Sequence, residues 1–151
     1  MASTTFSGPV TSTNGFIGAI TGNVTGNIAN PVITHTPVAI NATATATAAQ
    51  VATGYIKSTS AAGTTITLPT GTLLGAALGA VQGSVFNLVI DNTAGASTVT
   101  IAVAVNGILS NAATTTAASF GDITVGFGIT GVARFTIMFS SATAYVFTRT
   151  A

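Results

Sequence analysis

Only five of the 151 residues carry a formal charge: Lys57, Asp91, Asp122, Arg134 and Arg149. A typical soluble chain is about a quarter charged. With His35 neutral the net charge is +1, so little electrostatic repulsion keeps copies apart. Such a surface suits a chain committed to contacts with itself or with a larger partner. Long-range steering by charge is unavailable, and a partner must be met through shape and backbone pairing. A basic footprint for nucleic acid is also missing.

The same scarcity argues against an enzyme. Acid–base and nucleophilic catalysis need a positioned base with a tuned pKa, and the side chains on offer are His35, Asp91 and Asp122. His35 stands between two threonines, two residues before Pro37, with no motif around it. Asp91 opens the turn Asp91-Asn92-Thr93, where a carboxylate caps backbone amides. Asp122 follows Gly121 at a strand entry. No nucleophile-elbow sequence accompanies the many serines. We therefore assign no catalytic residues. Cysteine is absent, and two isolated carboxylates with one imidazole give no metal-ligand spacing. A threefold axis gathering copies of one such residue around an ion stays open. No glycine loop with a lysine cradles phosphate, so no cofactor is expected.

Mean hydropathy is +0.71, yet no run approaches the ~18 apolar residues of a spanning helix. The nearest, Leu73 to Val81, is short and interrupted by glycine. The opening MASTTFSGPV has neither the basic nor the apolar region of a signal peptide. No membrane partner is expected.

Residues 1–33 differ from the remainder. Gly18-Ala19-Ile20-Thr21, Gly22-Asn23-Val24-Thr25 and Gly26-Asn27-Ile28-Ala29 repeat with a period of four. In extended backbone, alternate residues share a face. Ile20, Val24 and Ile28 then form an apolar stripe separated by glycines, backed by Thr and Asn. Such a ribbon must pair with something to bury its stripe, although the same composition also suits a flexible linker. Upstream, Phe6, Val10, Phe16 and Ile17 are apolar anchors in a polar segment. We read residues 1–33 as an N-terminal arm. Phe6, Val10, Phe16, Ile17, Ile20, Val24 and Ile28 are its candidate contacts with other subunits or a shell.

Residues 34–151 read as strands and turns. Tyr55–Ser58 and Thr64–Leu68 flank a turn-like stretch and suggest a hairpin. Thr70 or Thr72, after Pro69, caps a short helix through Leu73, Leu74, Ala77, Leu78 and Val81, which Gly75 and Gly79 weaken to one or two turns or an ordered loop. Ser84–Asp91 and Thr98–Val105 are strands, followed by the tight-turn pair Asn106-Gly107 and a short strand at 123–127. Val132–Phe139 places Ala133, Phe135, Ile137 and Phe139 on one face, and Ala144–Arg149 returns with Tyr145 and Phe147. Arg134, alternating with apolar neighbours, is expected to be half-buried and paired. The fold class is all-β: an antiparallel, jelly-roll-like β-sandwich with an extended N-terminal β-ribbon arm.

Two segments carry a resemblance. The Gly22-Asn23-Val24-Thr25-Gly26-Asn27 ribbon resembles repeats in trimeric tail-fibre and head-appendage proteins of tailed bacteriophages. The run Thr43–Leu68, then Pro69-Thr70, Val85–Gly95 and Thr98–Ile101, is similar to a β domain that recurs in phage virion proteins. The strands around Arg134-Phe135 and Ala144–Phe147 fit the same order. The resemblance implies a virion structural protein on the outer capsid surface: a decoration (cement) protein, homotrimeric and partnered by the major capsid protein. A head or tail fibre appendage binding a host receptor or glycan is the alternative, with its pocket in the loops near 70–82 or 106–120. A membrane-active secreted polypeptide is disfavoured, because no basic amphipathic helix is present.

Overall fold

The computed structural model of the chain describes residues 34–109 and 123–151, all within one compact unit, Ile33–Ala151. The arm residues 1–33, and with them every candidate contact from Phe6 to Ile28, lie outside the described residues. So does Asp122.

The described strands are β1 (Val38–Ala39), β2 (Ala44–Thr45), β3 (Tyr55–Lys57), β4 (Thr64–Thr67), β5 (Val85–Asp91), β6 (Val99–Ala102), β7 (Gly107–Leu109), β8 (Thr124–Val125), β9 (Val132–Ser141) and β10 (Ala144–Arg149). They form two sheets, ordered β1-β3-β5-β9-β10-β7 and β2-β4-β6-β8. The β-rich class expected from strand spacing holds. Strand direction does not: the sheets are mixed, not antiparallel. β1/β3, β3/β5, β2/β4, β4/β6 and β7/β10 are parallel. Only β5/β9, β9/β10 and β6/β8 run antiparallel among the described pairs.

The parallel pairs arise because the chain winds. β1, β3 and β5 lie in the first sheet, and each is followed by a strand of the second. Val38, Ile56 and Ile90 stack in register on one side, and Ala44, Ile66 and Ile101 on the other. The expected hairpin from 55 to 68 is therefore absent, since β3 and β4 belong to different sheets. The physical reason sits at the corner. Ser58 donates its backbone N–H to the Asp91 carbonyl at 2.8 Å, and Ile40 donates to Lys57 at 2.9 Å. Corner amides thus bond to the next turn of the coil, and the chain does not fold back on itself. Alternation of apolar and polar residues is identical for a strand in either direction, so it carries no information on this choice.

Asn92 stands at the same corner, fully buried. Its Nδ2 donates to Ser97 O (2.8 Å) and Gly126 O (2.7 Å) and approaches Val125 O (3.4 Å). The side chain ties the end of β5 to the start of β6 and to β8, where backbone carbonyls would otherwise be buried without donors.

Among the described residues two α-helices fill connections. α1 (Ala48–Ala52) opens with a reciprocal capping box: Thr47 Oγ1 accepts from Gln50 N, and Gln50 Oε1 accepts from Thr47 N. The Ala-Thr run had no apolar periodicity to announce this helix. α2 (Gly71–Leu78) follows the expected capped start, with Thr70 Oγ1 accepting from Leu73 N at 3.3 Å. It stops at left-handed Gly79, φ 59°. Gly75 does more than weaken the helix, because a Cβ there would overlap the Ala142 carbonyl oxygen. Its absence lets α2 approach the β9–β10 turn.

The β9–β10 hairpin is as expected. Ala133, Phe135, Ile137, Phe139, Tyr145 and Phe147 are buried, and they share one core with Ile56, Ile66, Leu74, Ile90 and Ile101. Phe135 and Phe147 stack at 4.8 Å between ring centres, a pairing that contributes about 1 kcal/mol beyond burial. Arg134, expected half-buried, is exposed, because it lies on the outer face opposite Phe135.

Candidate functional site

Among the described residues, His35, Asp91 and Arg149 are each engaged in hydrogen bonds. His35 Nδ1 lies 2.7 Å from the Thr53 carbonyl. A carbonyl only accepts, so Nδ1 carries the proton. The ring sits against Gly54, where φ is +76° and any Cβ would meet His35 Cε1. His35 thus fastens the segment entering β1 onto the turn between α1 and β3.

Asp91 is bonded on both oxygens. Oδ2 accepts from the Tyr55 hydroxyl at 2.7 Å, and Oδ1 accepts from Thr93 N (2.9 Å) and Thr93 Oγ1 (2.6 Å). The Asp91 turn cap read from the sequence is therefore present. Lys57 is its cross-strand neighbour. Partial burial opposes ionisation of Asp91, but the bonds from Thr93 and Tyr55 and the Lys57 charge outweigh it and hold the carboxyl below its ordinary range. The Tyr55 phenol is pushed up, first by its bond to Asp91, then by burial and the Asp91 charge. A carboxylate saturated in this way is a structural acceptor. Arg149 Nη1 donates to the Thr124 carbonyl at 2.9 Å, bridging the two sheets. Among the described residues no group of three or more His, Cys, Asp or Glu side chains is placed to hold a metal ion. No described helix is long and apolar enough to cross a membrane.

The outer face of the six-stranded sheet carries a row of apolar side chains. Across the six-stranded sheet Val85 pairs with Met138, Met138 with Val146, and Val146 with Ile108. Their side chains alternate away from the buried Ile137 and Tyr145 and the half-buried Phe86 and Leu109, so they form one apolar row over β5, β9, β10 and β7. Val85 is 63% exposed, Ile108 57% and Met138 40%. Val81, 64% exposed, adjoins the row through its N–H bond to Ser84 Oγ. The next row, Asn87, Thr136 and Thr148, is polar and uncharged. Charge returns only with Arg134, paired opposite Val89.

A second feature lies where the chain enters the domain. β1 and β2 are the edge strands of their sheets, and both belong to the first turn of the coil. In parallel pairing, alternate residues turn both backbone groups to the same neighbour. Ile40 N donates to Lys57 O and Ala46 N to Thr67 O, so the backbone groups of Ala39 and Thr45 face away from the described stack. The inward positions are incompletely covered as well. Val38 is half-buried and Ala44 exposed, whereas Ile56, Ile90, Ile66 and Ile101 in the same columns are buried. Asn41 Oδ1 and Thr43 Oγ1 of this turn accept from Thr59 N (2.8 Å) and Thr65 N (3.1 Å) of the next.

The row of Val85, Met138, Val146 and Ile108 and the edge residues Ala39 and Thr45 have no signal in the sequence that marks them as surface. One weak signal of the coil was present: Ile56-Lys57-Ser58-Thr59 and Ile90-Asp91-Asn92-Thr93 are similar, as are Thr65-Ile66 and Thr100-Ile101, and each pair is in register across the coil. Compared with protein-family models, curated proteins and solved structures, the chain has no match.

Proposed function

We propose that the chain is a structural virion protein that decorates and stabilises a bacteriophage capsid as a homotrimer. Its N-terminal arm, residues 1–33, attaches to the major capsid protein on the outer surface. The phage assignment rests on the sequence resemblance of the Gly-Asn ribbon and the ordered β segments. The observation that carries the mechanical reading is the surface: an apolar row of Val85, Met138, Val146 and Ile108 on a domain in which the described His35, Asp91 and Arg149 side chains are held in hydrogen bonds. Attachment by backbone pairing of the arm needs no charge, and several weak attachments per trimer multiply. The β domain then spans between capsomers and adds buried area that opposes internal pressure.

The test is to add the purified protein to undecorated capsids and measure their rupture temperature. A rise of several degrees that disappears on deletion of residues 1–30 is expected. Full stabilisation by the deleted protein refutes anchoring through the arm, and no stabilisation by the intact protein refutes decoration.

A further inference from the structure

We infer that the coil end formed by residues 38–45 is an acceptor for the ribbon Gly18–Ala29 of a second copy of this chain. The inference rests on the proposed reading of the protein as a self-assembling oligomer, and it divides the arm. Residues 1–17, with Phe6, Val10, Phe16 and Ile17, remain for the shell, and the ribbon joins subunits.

The acceptor has the three properties an added turn needs. Its backbone groups at Ala39 and Thr45 point along the stack, away from β3 and β4. Stacked coils with a bare terminal turn are templates for further pairing and require a cap. Its inward columns end on half-buried Val38 and exposed Ala44, so each lacks the branched residue that covers it one turn further in. One turn along, the corner amides of Thr59 and Thr65 are served by the side chains of Asn41 and Thr43, and a further turn would set its own polar side chains at the equivalent place.

The ribbon supplies the matching chemistry. Ile20, Val24 and Ile28 provide branched side chains for the open columns, and the intervening glycines permit close approach. Asn23, Thr25 and Asn27 are the residue types that accept corner amides inside the coil. The eight residues between Ala29 and Val38 give a tether of up to about 30 Å in extended backbone. The ribbon's 12 residues, Gly18 to Ala29, outrun the stretch from β1 to β2. The chain enters the domain at the acceptor itself, so in every copy the donor segment directly precedes the acceptor in sequence. Donor-to-acceptor contact between unlike surfaces closes as a ring or continues as a filament, and a trimer is the ring of three.

Proline at Ala39 and Thr45 tests this, because it removes only N–H groups that face the open side, the position where a strand edge tolerates proline. Mass is read by light scattering without capsids, alongside melting temperature. The intact chain and a variant lacking residues 1–17 are expected to be oligomers. A variant lacking residues 1–30 and the Ala39→Pro/Thr45→Pro double variant are expected to fall to the mass of one chain while still melting cooperatively. Thr45→Ser, which keeps its N–H, is expected to stay oligomeric. An oligomer that survives the double proline change overturns the inference, as does an intact chain that is monomeric. Where the double variant unfolds, Ala44→Lys at the exposed inward position replaces it and is expected to dissociate the oligomer, and an unchanged mass there overturns the inference too. Capsid binding is scored separately. Oligomers that ignore capsids refute only the decoration reading, and capsid binding by an oligomeric double-proline variant refutes only this one.

Discussion

Tyr55 and Asp91 show how a chain with five charges uses one of them. The Asp91 carboxyl is held below its ordinary value of 3.8, so the bonds of its ionised form contribute stability above that value and lose it as pH falls through the lower folded-state pKa. The Tyr55 phenol is raised above 10.0, so its contribution is complete below pH 10 and is lost as pH rises through the higher folded-state value. Tyr55→Phe is expected to flatten part of the alkaline loss and to cost about 1 kcal/mol at neutral pH, the modest end for a charge-assisted bond half-exposed to water. Urea titrations from pH 3 to 11 measure both. Some alkaline loss remains in the variant, since burial pushes Tyr145 up to about 12. Gly75→Ala is a second residue-scale test. In an open helix the change stabilises by about 1 kcal/mol, but here the new methyl meets the Ala142 carbonyl. The expected sign is reversed, with a loss of about 1–3 kcal/mol from overpacking and a lower thermal midpoint.

Among the elements, the corners decide the fold more than the strands do. Asn92 is fully buried and its amide serves the carbonyls of Ser97 and Gly126 at a junction of β5, β6 and β8. Asn92→Ala strands those acceptors and leaves a void, and a loss of roughly 3 kcal/mol in chemical denaturation is expected. Asn92→Asp is expected to be at least as damaging, because it sets a carboxylate against the same carbonyls. The β9–β10 hairpin was legible because alternation over Val132–Phe139 and Ala144–Arg149 is long enough to fix a face, and the turn at Ala142-Thr143 breaks it. α2 was legible through Pro69, Thr70 and its leucines. α1 was not, since Thr47 and Gln50 form a capping box inside a run that alternates Ala and Thr like a strand. The coil was not legible either, because its signature is the partner of a corner amide, and Ser58 N could as well have bonded within a hairpin.

For the whole molecule, scarcity of charge has a direct consequence in solution. Contacts made by Val85, Met138, Val146 and Ile108, or by backbone pairing at β1 and β2, involve no ion pairs. Self-association is therefore expected to be nearly unchanged between 0.05 and 1 M sodium chloride (on the order of the range over which surface ion pairs are screened out), or to tighten slightly. A tenfold weakening measured by sedimentation would show that Lys57, Arg134 or Arg149 carries the contact. The sequence by itself determined the β-rich class, the paired hairpin faces and the poverty of ionisable groups. These follow from residue type and alternation, which are local properties. Only the tertiary structure decided that the sheets are mixed, that Arg134 faces outward, that an apolar row crosses four strands, and that, among the described residues, the coil ends on an edge at residues 38–45. Each depends on which strand lies beside which, a choice made by corner hydrogen bonds and shared core volume between residues far apart in the chain. In a sequence of so few charges and so much Ala, Thr and Gly, no side chain announces its neighbour.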